Sequence, residues 1–229
     1  TNVLGSQNIV DCAIKNKVKK VIALSTDKAT NPANLYGASK LASEKLFVAA
    51  NNLSGPVSTR FASVRYGNVL GSRGSVLQIF RDCINRKEDK LPITDKRMTR
   101  FWISLEKGVS FVISCLKIMS GGEIFVPKLP SSKVIDLALA LDSKKQLKFI
   151  GKKPGEKLHE ILISEDEAFS TLDIGDRYVV EPAFKWWQNT DKKLYKGKKV
   201  SEDFIYSSGN NENLFEKKQM ESFLKLIDV

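Results

Sequence analysis

The apolar run V-I-A-L-S at residues 21–25 lies between two segments of helical periodicity, and it constrains the fold more than any other feature of the chain. Before it, Ile9, Val10, Ala13 and Ile14 recur at helical intervals, and that segment ends in a basic turn. After it, residues 36–51 carry a second amphipathic pattern, closed by N-N-L-S-G-P. Short apolar strands separated by helices belong to parallel sheets covered on both faces.

The alternation continues. S-T-R-F-A-S-V-R-Y-G-N-V reads as a strand, and G-S-R-G-S-V-L-Q-I-F as a glycine-rich loop opening a helix. R-F-W-I-S-L-E-K-G-V-S-F-V reads as a strand or loop leading into a helix with Glu106 in its first turn. G-G-E-I-F-V-P-K is a further strand. The expectation over residues 1–126 is a doubly wound α/β sheet. Over 127–229 it is a smaller α+β domain, with a helix at K-V-I-D-L-A-L-A-L and a strand at Q-L-K-F-I. G-K-K-P-G-E-K-L-H-E-I-L-I-S reads as a loop entering a strand or helix, D-R-Y-V-V-E-P as an edge strand, and 216–227 as a terminal helix.

A net charge of +11 favours anionic partners, either nucleic acid or phosphorylated small molecules. The sequence has no zinc finger, RNP-type strand or aromatic–basic stripe, so the lysines read as a solvated basic surface and no nucleic acid is expected. The three separated cysteines, Cys12, Cys83 and Cys115, read as reduced, buried thiols in a cytoplasmic protein. With one histidine and no cysteine cluster, no metal is expected. No apolar stretch is long enough to span a membrane.

Residues 25–40, S-T-D-K-A-T-N-P-A-N-L-Y-G-A-S-K, concentrate the chemistry. Tyr36 and Lys40 are four apart and share a helix face. An ammonium beside a phenol favours the phenolate, a proton acceptor for an alcohol under oxidation. The same spacing occurs on ordinary solvent-facing helices. Ser25 and Thr26 follow the apolar strand directly, where α/β sheets carry their sites. Asp27 and Lys28 add a proton donor and a proton acceptor there, and Asn34 is spaced to cap the helix. A G-x-G-x-x-G turn, the usual mark of a dinucleotide-binding sheet, is absent.

Residues 25–46 resemble the active-site segment of the extended short-chain dehydrogenase/reductases. More narrowly, they resemble the sugar-nucleotide 4,6-dehydratases of the polysaccharide-biosynthesis group. R-Y-G-N-V-L-G-S-R-G-S-V, P-I-T-D-K-R-M-T-R-F-W, G-G-E-I-F-V-P-K, P-G-E-K-L-H-E and Y-S-S-G-N-N-E resemble that group in the same order. The resemblance implies the C-terminal part of a Rossmann-type sheet. The glycine turn would lie in an N-terminal half before Thr1, about 100 residues at three βα units. It also implies a truncated NADP-binding domain at 1–126, carrying the catalytic motif and with substrate-loop insertions near 69–98, and a sugar-nucleotide domain at 127–229, in a homo-oligomer.

The reaction implied is NADP-dependent dehydration of UDP-N-acetylglucosamine with inversion at C5, for pseudaminic acid or surface polysaccharide synthesis. Tyr36, assisted by Lys40, would take the 4-hydroxyl proton, and Thr26 would hold the 4-oxygen. Lys28, neutral when it acts, would remove the C5 proton, and protonated Asp27 would release the C6 hydroxyl. Ser25, Tyr36, Lys40, Val69, Leu70, Gly71, Ser72 and Arg73 would line the cofactor. Asn68, Val76, Thr94, Arg100, Lys153 and Glu156 would hold the sugar nucleotide, with Arg100 on the diphosphate. Lys153 stands where the group usually has arginine, keeping the charge but losing the planar fork. His159 reads as structural. Tyr36 stands where the membrane-anchored retaining relatives carry methionine, which favours the inverting type. A UDP-sugar 4-epimerase, a retaining dehydratase and an inactive fragment are the alternatives.

Overall fold

The computed structural model describes residues 1–54, 59–183 and 195–225. In chain order the elements are α1 (Leu4–Lys15), β1 (Lys20–Leu24), a 3-10 turn (Asp27–Ala29), α2 (Leu35–Leu53), β2 (Arg60–Val64), β3 (Asn68–Val69), α3 (Val76–Asn85), β4 (Lys90–Ile93), β5 (Thr99–Ile103) and α4 (Leu105–Ile118). There follow β6 (Ile124–Pro127), β7 (Ser131–Lys133), α5 (Val134–Leu141), β8 (Gln146–Phe149), β9 (Ile161–Ile163), α6 (Glu165–Ala168), β10 (Thr171–Asp173), β11 (Arg177–Val180), β12 (Lys198–Lys199), β13 (Tyr206–Ser207), β14 (Leu214–Phe215) and α7 (Lys217–Lys225). The expected terminal helix agrees with α7 as far as residue 225; residues 226 and 227 lie outside the described residues.

The chain forms two compact units that interleave along the sequence. The first comprises Thr1–Tyr66, Val109–Lys128 and Ile161–Tyr206. Its sheet has the order β1-β2-β6-β11-β10-β12. The strands β1, β2 and β6 are parallel. The strands β11, β10 and β12 extend the sheet antiparallel. Thus D-R-Y-V-V-E-P, read as an edge strand, is interior: β11 has a neighbour on each side, and Val179 and Val180 are buried. Such pairing follows a short hairpin, which a single apolar run does not reveal.

Both faces of the parallel strands are covered, as in a doubly wound sheet. In β2, Phe61 points to Val10 and Ala13 of α1 and to Phe47 and Ala50 of α2. Its neighbours Ala62 and Val64 pack on the other face with Cys115 and Met119 and with Phe111 and Val112 of α4. The pleat directs alternate residues to opposite layers. Each large apolar side chain buried this way contributes about 1.5–3 kcal/mol. Cys83 and Cys115 are buried as expected, but Cys12 is exposed, because its position in α1 faces away from Phe61.

The second unit comprises Gly67–Gly108, Leu129–Glu160 and Ser207–Val229. It contains a four-stranded sheet of order β14-β7-β5-β3 and the parallel pair β4–β8. Leu77, Phe80, Leu91, Ile93, Trp102 and Leu137 form its core. The Trp102 indole donates to Ser132 Oγ at 2.8 Å. The stretch 58–69, expected as one strand, is two strands in different sheets. Gly67 marks the break, for a β-carbon there would overlap Phe101. No described helix is long and apolar enough to cross a membrane.

Candidate active site

The site is built at the C-terminal end of β1. The Ser25 N–H donates to the Val64 carbonyl (2.7 Å) and the Asp27 N–H to the Tyr66 carbonyl (3.2 Å), continuing the β1–β2 pairing past the end of the strand. Thr26 caps the 3-10 turn, its hydroxyl accepting from the Lys28 N–H at 3.4 Å. The turn buries the Asp27 side chain completely and leaves Lys28 half-buried. Asp27 Oδ1 accepts from Thr26 Oγ1 (2.8 Å) and from Lys28 Nζ (3.0 Å). Asp27 Oδ2 is buried and without a hydrogen-bond partner among the described residues, as is the Ser25 hydroxyl.

The second element is the first turn of α2. Asn34 caps it, its Oδ1 accepting from the Gly37 N–H at 2.9 Å, as the sequence predicts. A β-carbon on Gly37 would overlap the Lys28 carbonyl oxygen and press on Pro32. Only glycine lets the helix approach the turn this closely. Tyr36 is half-exposed, so its phenol is reachable. Lys40, one turn on, donates from Nζ to the Leu24 carbonyl at 2.5 Å, which places its charge beside Ser25. Burial lowers the Lys40 pKa, and the carboxylate of Glu44 partly opposes the shift. The Tyr66 phenol is pushed up by burial and by the neighbouring Tyr36. Tyr66 is thus a further aromatic hydroxyl beside Tyr36, which motif reading overlooked although it follows Arg65 in R-Y-G-N.

Ser25, Thr26, Asp27, Lys28, Tyr36 and Lys40 therefore all belong to the first unit. Asn68, Val69–Arg73, Val76, Thr94, Arg100, Lys153 and Glu156 belong to the second. Asn68 and Val69 form β3 beside Trp102 and Ile103. Gly71, Ser72 and Arg73 are exposed in the following loop, where Gly71 adopts a φ of 79°. Val76 opens α3 against the core. The Thr94 hydroxyl lies 3.5 Å from Met98 Sδ. Lys153 is exposed, and its N–H donates to Glu156 Oε2 at 3.0 Å.

Two of these residues have other work to do. The Leu70 side chain is in the core, and only its backbone is turned to other use, donating to the Ile103 carbonyl. Arg100 is buried, and its terminal nitrogens donate to the carbonyls of Thr99 (2.7 Å), Leu158 (3.3 Å) and Lys157 (3.1 Å), with Glu160 at 3.7 Å. Its fork binds the loop 157–160 to β5. His159 packs over Gly209, with Nδ1 at 2.8 Å from Thr99 Oγ1, in keeping with a structural role.

A strand end carrying Ser-Thr-Asp-Lys, with Tyr-x-x-x-Lys on the helix that follows, is the geometry of this unit. The sequence profile of the polysaccharide biosynthesis proteins matches residues 1–182. The chain belongs to this family. The inverting UDP-N-acetylglucosamine 4,6-dehydratase of Campylobacter jejuni serotype O:2 is 55% identical over 216 residues, covering 92% of this chain. The chain spans 65% of that relative's length. A UDP-glucose 4-epimerase of Rickettsia massiliae is 40% identical, covering 96% of this chain and 66% of its own length.

Among solved structures, Pen from Bacillus thuringiensis superimposes with a TM-score of 0.86 at 33% identity, over 99% of this chain and 68% of that one. The dTDP-glucose 4,6-dehydratase of Bacillus anthracis, solved with NAD, has a TM-score of 0.60 at 16% identity, over 68% and 57% of the two chains, and shares the fold. The residues present fit the ribose–nicotinamide end of such a cofactor. Ser25 offers a buried hydroxyl with no partner among the described residues, and Lys40 holds a cation beside it.

Proposed function

We propose that the protein is an NADP-dependent UDP-N-acetylglucosamine 4,6-dehydratase that inverts C5. The observation that carries this reading is the 3.0 Å hydrogen bond between Lys28 Nζ and buried Asp27 Oδ1, in the same unit as Tyr36 and Lys40. An alcohol oxidation needs only the tyrosine and its lysine; an elimination also needs an acid and a base. The likeness to the Campylobacter relative supports UDP-N-acetylglucosamine as the sugar nucleotide.

A bound nicotinamide supplies a reversible hydride acceptor. Tyr36 accepts the 4-hydroxyl proton, and the Lys40 charge stabilises the phenolate. The Asp27–Lys28 pair acts on the other side of the ketone. Transfer of one proton from Nζ to Oδ1 along their hydrogen bond converts the ion pair into a neutral amine and a carboxylic acid. The amine is the form that takes the C5 proton, and the acid is the form that protonates the departing C6 oxygen. Exclusion of water by a bound substrate favours the neutral pair, because desolvation penalises both charges. Thr26, which holds Oδ1, keeps the carboxyl oriented.

We assign the sugar nucleotide to the second unit, through Asn68, Val76, Thr94, Lys153 and Glu156, and the cofactor's nicotinamide end to Ser25, Tyr36, Lys40 and the loop 69–73. A homo-oligomer in the cytoplasm completes the proposal. The Rickettsia relative favours a second reading, a UDP-sugar 4-epimerase. Mass spectrometry of the product made by the full-length protein separates the two. A dehydratase yields a UDP-sugar lighter by one water, and an epimerase yields one of unchanged mass.

A further inference from the structure

Arg65 follows β2 and is 1% exposed. Its five N–H donors all have acceptors, none of them in β2. Nε and Nη2 form a fork on Glu44 at 2.8 and 2.6 Å. Nη1 and Nη2 form a second fork on Glu167, both at 2.7 Å. The remaining Nη1 hydrogen goes to the Leu162 carbonyl at 3.0 Å. The guanidinium is thereby held in one orientation by α2 on one side and by residues 162–167 on the other, as a planar fork requires.

The placement of these partners ties Arg65 to the chemistry. Its chain neighbours Val64 and Tyr66 supply the two carbonyls that hold the N–H groups of Ser25 and Asp27. Glu44 is four residues beyond Lys40 and eight beyond Tyr36, on one face of α2. One side chain thus joins the backbone that carries the Asp27–Lys28 pair to the helix face that carries the Tyr36–Lys40 pair. We infer that Arg65 is a positioning residue that sets the two proton-transfer pairs at a common distance from one substrate. A ketone made at C4 acidifies the hydrogens on its two neighbouring carbons, and elimination of the C6 hydroxyl requires the base to take the one at C5, so a reaction that uses both pairs in turn requires them in fixed register. This inference rests on the dehydratase reading for its kinetic consequence, but not for its structural one.

The test uses the full-length protein with Arg65→Lys and with the double variant Arg65→Met/Glu44→Met. Removing Glu44 together with Arg65 avoids a lone charge on α2, a change tolerated at many sites, while Glu167 keeps Lys45 at 4.0 Å. In the double variant kcat for UDP-N-acetylglucosamine is expected to fall about 100-fold, the effect of an ångström-scale misplacement, with KM little changed. Arg65→Lys, which keeps the charge and loses the fork, is expected to recover part of that loss. Amide hydrogen exchange is expected to quicken in both 25–29 and 36–44, while 109–118 of α4 is unaffected. A folded double variant with wild-type kcat and wild-type exchange overturns the inference. If the double variant does not fold, Arg65→Lys decides, since wild-type kcat there overturns it equally. If the wild-type protein itself releases no dehydrated product, the dehydratase reading has failed, and the exchange measurement alone decides the role of Arg65.

Discussion

Gly37 and Lys28 are in backbone contact: a β-carbon on the glycine would overlap the lysine carbonyl oxygen. That contact sets the tyrosine helix directly on the Asp-Lys turn. Gly37→Ala is therefore expected to push α2 outward, costing roughly 1–3 kcal/mol of stability as overpacking does. Urea denaturation of the wild-type and variant proteins measures the cost, and the same samples should show a lowered kcat. A variant as stable and as active as wild type would mean that the helix and the turn adjust independently.

Lys28→Ala is expected to abolish proton exchange at C5 while leaving nucleotide affinity nearly intact, because the ammonium's assigned partner is the Asp27 carboxylate. Solvent exchange followed by NMR, with calorimetric titration of UDP, checks both halves. Unchanged exchange would remove Lys28 as the base.

Arg100→Gln separates a fastening role from a diphosphate role. The guanidinium satisfies the carbonyls of Thr99, Lys157 and Leu158. Leaving buried acceptors unpaired costs about 1–3 kcal/mol each, so the expected result is a lower melting temperature. UDP affinity of the folded variant should change little. A variant of normal stability that has lost UDP affinity would restore Arg100 to the diphosphate.

Burial holds the Lys40 pKa below its ordinary value of 10.5. Between the folded and unfolded pKa values the unfolded chain binds more protons, so this residue's contribution to stability rises with pH across that window. The useful state for catalysis is the ammonium, which is lost as pH rises through the folded pKa. Activity should thus decline on the alkaline side at a pH below that of an ordinary lysine. Glu44 opposes the shift, so Glu44→Gln is expected to move the alkaline limb of the pH–rate profile further down.

The local features of the site are legible in sequence. Tyr36 and Lys40 share a face because the helix period requires it, and Asn34 caps because its carbonyl reaches the Gly37 N–H. What escapes is set by contacts distant in the chain. Arg65 meets Glu44 and Glu167 across 21 and 102 residues, and no local pattern marks them as partners. The family resemblance assigns Arg100 to the diphosphate, and the loop 157–160 takes donors of its guanidinium. Leu70 lies in a loop pattern but packs in a core assembled from α3, β4 and α5. The interior position of β11 depends on the hairpin with β10, where the apolar run alone suggested an edge.

The most direct test of the dehydratase assignment is incubation of the full-length protein with UDP-N-acetylglucosamine in deuterated water, followed by NMR of the product. The Asp27–Lys28 pair predicts a 4-keto-6-deoxy sugar with deuterium at C5 and inverted configuration there. A 4-epimer carrying no solvent deuterium would contradict it.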